Sequence, residues 1–248
     1  MGNILISGAS SGIGAALARA YAASGVALTL WGRNAARLDA VAADCRSRGA
    51  QVVTRCFDLA DLAVLTGALA AADDATPLDL VIFNAGLGGS LPQSAIAQPP
   101  AQAAQMTAVN FLAPVVGANA IAERMGQRRR GRIVLIGSIA ALFPLPMAPV
   151  YSGSKAGLTM FADALRVRLK RHGVAVSLVS PGFIDTPMSQ GLSEPRPFLI
   201  SADKAAAIIR RKLDRGARHI VVPWQFALIA AVAGLIPKPL VRAVLSCF

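Results

Sequence analysis

The sequence predicts an α/β fold: a single doubly wound parallel sheet of seven strands with helices on both faces. Three observations predict it. Short apolar runs alternate with alanine-rich stretches of helical length along the chain. The first run, Ile4-Leu5-Ile6, ends in a glycine-rich turn that opens a helix. No linker, and no repeat beyond the alternation itself, interrupts the pattern. Alternating strands and helices pair in parallel, because each crossover helix returns the chain to the same end of the sheet, and those helices cover both faces.

Taken in order, strands are expected near 3–7, 26–31, 51–57, 78–84, 132–138, 174–180 and 218–222. The stretches between them predict helices at 15–23, 34–48, 59–73, 100–127, 152–171 and 201–215. Right-handed crossovers then give the strand order 3-2-1-4-5-6-7, with ligands bound at the carboxyl ends of the strands. Two segments break the rhythm. Residues 87–99 form a glycine- and proline-marked loop, and residues 183–200 carry Pro187, Pro195 and Pro197 beyond Pro181-Gly182.

At 248 residues, the chain 1–248 suits one domain with a large core. Its 54% hydrophobic and 15% charged residues exclude a disordered chain. The N-terminus enters a strand within three residues, so no signal or transit peptide is expected and a cytoplasmic location is. Cys45, Cys56 and Cys247 are odd in number and fall in no metal-ligand spacing, so they read as reduced thiols. His172 and His219 lie far from every motif, which argues against a zinc site or a histidine-based dehydrogenase. The net charge is +12, with basic runs at Arg128–Arg132 and at Arg166, Arg168, Lys170 and Arg171. Solvated helix ends, a phosphorylated cofactor and anionic lipid all fit that charge. Nucleic acid ranks last, since aromatics are few and no nucleic-acid fold signature is present.

Chemistry enters at three places. The turn Ser7-Gly8-Ala9-Ser10-Ser11-Gly12-Ile13-Gly14 lets the backbone turn sharply and lets a pyrophosphate approach the main chain. The helix that follows offers unpaired N–H groups and a positive dipole end. Tyr151 and Lys155 stand four residues apart on a predicted helix and so share a face. A nearby ammonium favours the phenolate, so Tyr151 is expected below its ordinary pKa of ~10 and able to exchange a proton with a substrate oxygen. Ser138 ends the apolar strand before them. At the end of the second strand, Leu30-Trp31-Gly32-Arg33-Asn34 has no carboxylate where an NAD-specific fold places its ribose-binding acid. Arg33 can instead pair with a 2′-phosphate, so NADP (NADPH) is expected over NAD.

Ser7-Gly8-x-x-x-Gly12-Ile13-Gly14, Asp58-Leu59, Asn84-Ala85-Gly86, Asn110, Ser138, Tyr151-x-x-x-Lys155 and Pro181-Gly182-x-x-x-Thr186 stand in the order seen in the short-chain dehydrogenase/reductase family. The resemblance spans about residues 3–222, with Ser7 where threonine is usual. It implies a Rossmann-type sheet and hydride exchange between a nicotinamide and a carbonyl or alcohol. Tyr151 would be the general acid or base. Lys155 would hold the nicotinamide ribose, Ser138 the substrate oxygen, and Asn110 a water-linked proton relay. Gly8, Ser10, Ser11, Gly12, Ile13 and Gly14 would cradle the pyrophosphate, with Ser11 where many NADP-using relatives carry a second basic residue. Asp58 would meet the adenine amino group beside Leu59; read from the residues alone, it is equally an N-cap for the next helix. Asn84, Ala85 and Gly86 would line the other side, and Pro181, Gly182, Ile184 and Thr186 the carboxamide end. The segment 183–200 would be the substrate lid. A homodimer or homotetramer would form through the helices at 100–127 and 152–171.

Leu87, Leu91, Phe143, Leu145, Met147, Phe183 and Met188 make a greasy candidate wall, so a lipophilic ketone or alcohol is expected. The tail, 223–248, is apolar up to Ile236, and that stretch of thirteen residues from Trp224 is too short to span a bilayer. It is expected to fold onto the lid or a neighbouring subunit; peripheral membrane contact through Lys238 and Arg242 is the alternative. The rival to catalysis is a non-catalytic NADPH-binding or membrane-surface protein.

Overall fold

The computed structural model describes residues 2–92, 94–191 and 195–233. The first half runs β1 (Asn3–Ser7), α1 (Gly12–Tyr21), β2 (Ala27–Gly32), α2 (Ala35–Ser47), β3 (Gln51–Cys56), α3 (Leu62–Ala75) and β4 (Leu80–Phe83). Helices α4 (Pro100–Thr107) and α5 (Ala113–Gln127) follow, joined by a π-helical turn at Ala108–Leu112. Then come β5 (Arg132–Ile136), α6 (Pro149–Leu169) and β6 (Ala175–Pro181). The segment after β6 contains β7 (Ile184–Asp185), α7 (Pro187–Gln190) and β8 (Ile200–Ser201). The described chain closes with α8 (Ala202–Asp214), β9 (His219–Val222) and α9 (Gln225–Ala233).

Seven strands pair in parallel in the order β3-β2-β1-β4-β5-β6-β9. This is the expected order; β9 takes the seventh place because the two-residue strands β7 and β8 pair with each other instead. The two-residue period of a strand divides the core. Ile4 and Ile6 of β1 face the layer built on α1, α2 and α8. Leu5 faces the layer built on α3, α5 and α6. Burying each such side chain stabilises the fold by roughly 1.5–3 kcal/mol. In the first layer, Ala15 and Ala18 of α1 pack with Ala205, Ala206 and Ile209 of α8. Small residues on both helices permit that close approach.

Two local differences from the sequence-based expectations have physical causes. Helix α3 starts at Leu62 because Asp61, not Asp58, accepts a hydrogen bond from the Val64 N–H at 3.0 Å. The expected helix 100–127 is not uniform. Pro114 has no N–H to donate to the Asn110 carbonyl four residues back. The Ala113 N–H instead bonds the Ala108 carbonyl, five residues back, which makes the π turn. Among the described residues, no helix is long and apolar enough to cross a membrane. The tail beyond residue 233, with Lys238, Arg242 and Cys247, lies outside the described residues.

Candidate active site

A cavity of about 600 Å³ opens at the carboxyl ends of β1, β2, β4, β5 and β6. Its floor is the glycine turn. Gly8 adopts φ +66°, and a Cβ there would lie 2.7 Å from the Ala85 Cα, so glycine is required. A Cβ at Gly14 would run into the Gly8 carbonyl oxygen. Gly14 therefore lets α1 pack on the turn and does not itself line the cavity, whereas Gly8, Ser10, Ser11, Gly12 and Ile13 do. The turn is tied to β4. The Asn84 amide donates to the carbonyls of Ser7 and Gly8 at 3.1 Å each, and the Ser7 hydroxyl accepts from the Asn84 N–H at 3.1 Å. Ser7 thus has the hydroxyl this lock needs. Ser11 caps α1 without a side-chain hydrogen bond. The helix start therefore offers N–H groups to an anion, and the donor set fits a pyrophosphate.

One end of the cavity is lined by Gly32, Arg33, Asn34, Arg37, Phe57, Asp58 and Leu59. Gly32 brings no carboxylate to this end, and a Cβ on it would make a tight 3.1 Å contact with the Ser10 Cβ. Asp58 accepts from the Ala60 N–H at 3.0 Å and from the Gln105 amide at 3.4 Å. Ala85 and Gly86 line the middle.

The other end holds Ser138 and Tyr151. Ser138 follows β5, and its Oγ accepts from the Ala140 N–H at 3.1 Å, which orients the hydroxyl. Tyr151 and Lys155 sit one turn apart on α6, with Lys155 Nζ 5.9 Å from the Tyr151 ring centre. Lys155 is only 4% exposed and donates to the Ile136 carbonyl at 2.9 Å. Asn110, fully buried in the π turn, accepts from the Leu87 N–H at 2.7 Å and donates to the Leu87 carbonyl at 2.8 Å. Neither Asn110 nor Lys155 lines the cavity, but both approach Gly86: a Cβ there would lie 3.3 Å from Asn110 Oδ1 and 3.6 Å from Lys155 Nζ. Asn110 and Lys155 thus meet behind Gly86, while Ser138 and Tyr151 face the cavity.

Residues 2–197 match the family model described as short chain dehydrogenase. The chain belongs to the short-chain dehydrogenase/reductase family. It is an NAD(P)-dependent oxidoreductase acting on CH–OH or C=O groups. An uncharacterized oxidoreductase of Myxococcus xanthus is 32% identical over 240 residues, 96% of this chain and 94% of the relative. A short-chain dehydrogenase from Sphingobium yanoikuyae, solved with NADPH, superposes with a TM-score of 0.82 at 28% identity, covering 96% of this chain and 97% of that one. The bulky-bulky ketone specific alcohol dehydrogenase from Comamonas testosteroni gives a TM-score of 0.80 at 27% identity, covering 96% of each chain.

The electrostatics of this short-chain dehydrogenase correct one expectation. Tyr151 is raised above its ordinary pKa, not lowered, because burial disfavours the phenolate and only the Ser138 hydroxyl opposes that. Lys155 does not lower it in this arrangement. The ammonium is itself buried, which brings its pKa down to about 8, and its hydrogen bond goes to Ile136.

At the lid, Pro181, Gly182, Ile184 and Thr186 line the cavity, and Thr186 caps α7 through a reciprocal bond with Ser189. Leu87, Phe143, Leu145, Met147, Phe183 and Met188 of the expected apolar wall line the cavity as well. Leu91 does not; its N–H bonds the Met147 carbonyl at 2.7 Å and ties the two loops together. The described part of the tail reaches the lid: the Phe226 ring lies 6.0 Å from Phe183 and 5.6 Å from Phe198. Sequence reasoning missed Arg37 and Phe57. The only signal for either was its nearness in sequence to Arg33 or Asp58.

Proposed function

We propose that this chain is an NADP-dependent oxidoreductase of lipophilic ketones or alcohols, with Ser138, Tyr151 and Lys155 at its centre. The observation that carries the reading is one cavity holding Ser138 and Tyr151 at one end and Arg33, without a carboxylate at Gly32, at the other. NADP when bound supplies or accepts the hydride. The chain manages position and protons. Ser138 holds the substrate oxygen and aligns the carbon. Tyr151 gives its proton to that oxygen in reduction and takes it back in oxidation. Lys155 holds the nicotinamide ribose and favours the phenolate once turned toward the ring. Asn110 carries the relay that returns a proton to Lys155. Arg33 pairs with the 2′-phosphate.

The apolar wall of Leu87, Phe143, Leu145, Met147, Phe183 and Met188 supports a bulky, uncharged substrate. The Sphingobium and Comamonas neighbours support NADPH and bulky ketones in the same way. A non-catalytic NADPH-binding role would not require Ser138 beside Tyr151. A homodimer or homotetramer completes the reading.

The test is turnover of NADPH against a panel of ketones graded from small and polar to bulky and apolar. Consumption that rises with apolar bulk is the expected result. Binding of NADPH with no turnover on any carbonyl or alcohol would overturn it.

A further inference from the structure

Arg37 stands where helix electrostatics disfavours a cation. It is the third residue of α2, and the N-cap Asn34 accepts from its N–H at 2.9 Å. That first turn carries the positive end of the helix dipole and holds no acidic residue. Arg33 lies four positions earlier and adds a like charge. Among the described residues, neither arginine has an ion-pair partner. Both line the same end of the cavity, with Ser10, Ser11 and Asn34. The carboxylate among the lining residues is Asp58, which already accepts two hydrogen bonds. Two exposed arginines therefore line one cavity mouth, Arg37 against the local dipole, and neither is ion-paired among the described residues. Such a breach of a local rule marks a functional position.

The backbone under Arg37 is firm. Leu38, the next residue, is buried in the core layer beneath α2. Arg37 thus stands on a fixed backbone at the mouth, which limits what ordering it costs on binding. We infer that Arg37 is a second cationic ligand for the cofactor's 2′-phosphate, working with Arg33. The inference rests on the NADP reading above and deepens it. Ser11, on the glycine turn, is neutral and can only hydrogen-bond. The second charge that the turn does not carry comes from α2 instead. A dianionic phosphate between the two guanidiniums relieves their repulsion and accepts charge-assisted bonds from both.

The experiment titrates wild type, Arg37→Ala, Arg37→Lys and Arg33→Ala with NADPH and NADH by fluorescence. Competition by 2′,5′-ADP against 5′-AMP isolates the phosphate from the nicotinamide end. Arg37→Ala is expected to weaken NADPH and 2′,5′-ADP about tenfold and to leave NADH and 5′-AMP within about twofold. Arg37→Lys, which keeps the charge but not the fork, should fall between. The melting temperature of ligand-free Arg37→Ala should hold or rise, since the cation opposed the helix dipole; a structural arginine would instead lower it. If wild type prefers NADPH, Arg33→Ala loses that preference and Arg37→Ala changes nothing, this inference alone fails. If wild type binds both cofactors equally, the NADP reading fails and takes this inference with it.

Discussion

Lys155 holds its Nζ 5.9 Å from the centre of the Tyr151 ring while giving its hydrogen bond to the Ile136 carbonyl at 2.9 Å. The pair shares a helical face, yet the ammonium is turned to the end of β5. Burial acts on both groups and pushes each toward its neutral form: Tyr151 upward, Lys155 down to about 8. For the proton transfer proposed above, burial is the effect these two groups must overcome. Ribose hydroxyls that compete for Lys155 would bring its charge to bear on the phenol.

Tyr151→Phe removes the proposed proton donor and keeps the ring. Turnover should fall by ~10²–10⁴, the usual worth of general acid–base help. NADPH affinity should stay within about twofold, since the ring still packs. Single-turnover rates together with a binding titration check both halves. Full activity in the variant would move the proton donor elsewhere.

Lys155 predicts a pH dependence of stability. Its pKa is about 8 in the fold and its ordinary value is 10.5. Between those values the unfolded chain binds more protons, so stability rises with pH. Below pH 8 the cost of the buried ammonium is fully present; above 10.5 it is gone. The difference between those limits is on the order of 3 kcal/mol. Tyr151 and Tyr21 are both raised by burial, so ionisation of the unfolded tyrosines near their ordinary pKa of ~10 offsets part of the rise, and does so equally in wild type and in Lys155→Met. Urea melts of the ligand-free protein at pH 8 and pH 10 read the rise, and Lys155→Met should flatten it. An equal slope in the variant would assign the rise to other groups.

Arg33→Ala tests the cofactor preference at its first contact. Loss of a charge-assisted bond costs about 1.5–3 kcal/mol, or one to two decades in affinity. NADPH binding should fall by that factor and NADH binding should not. Fluorescence titration of both cofactors decides it, and a wild type indifferent between them would refute the preference.

Much of this was legible in the sequence because it depends on local pattern. The sheet order follows from strand–helix alternation and handed crossovers. The glycine turn follows from Gly8, which no residue with a Cβ could replace beside Ala85. What stayed hidden depends on which distant segments meet. Arg37 reads as a surface helix charge until α2 is seen to open onto the cavity. The π turn needed Pro114 to be read as a missing donor at the Asn110 carbonyl. The sense of the Tyr151 shift needed the burial of its surroundings, which spacing along one helix cannot report.

The outer face of α6 predicts self-association. Met160 and Val167 are 72% and 78% exposed, and seven residues, two helical turns, separate them. Large apolar side chains stacked on one stripe suit contact with a second copy, and the family resemblance places the subunit contact on this helix. Wild type should sediment as a dimer or tetramer at micromolar concentration. Met160→Asp with Val167→Asp should shift it toward a monomer-sized species while keeping the fold. A wild type that sediments as a monomer would remove the basis for the contact.

The last prediction concerns the junction of lid and tail. Phe226 of α9 is buried between Phe183 and Phe198, with both rings edge-on to it. Gly182 has no Cβ, and one placed there would run into the Phe226 ring. The same Gly182 N–H bonds the Val222 carbonyl at 2.8 Å, so the start of the lid is pinned to the end of β9 as well. If the segment 183–200 is the substrate lid, Phe226 acts on the substrate end through it. Phe226→Ala should remove roughly 3 kcal/mol of packing, raise KM several-fold and expose the lid to chymotrypsin at Phe198, whose ring it no longer covers. Gly182→Ala should do similar damage from the opposite side, by overpacking worth about 1–3 kcal/mol. Combining Gly182→Ala with Phe226→Leu should recover part of the loss, because the smaller side chain frees the space the new methyl needs. That recovery separates a shared contact from two unrelated lesions. Truncation after Pro223 should match Phe226→Ala in detergent-free buffer. If truncation leaves KM and melting temperature untouched and abolishes only sedimentation with anionic vesicles, the tail is a membrane anchor and the lid does not depend on it.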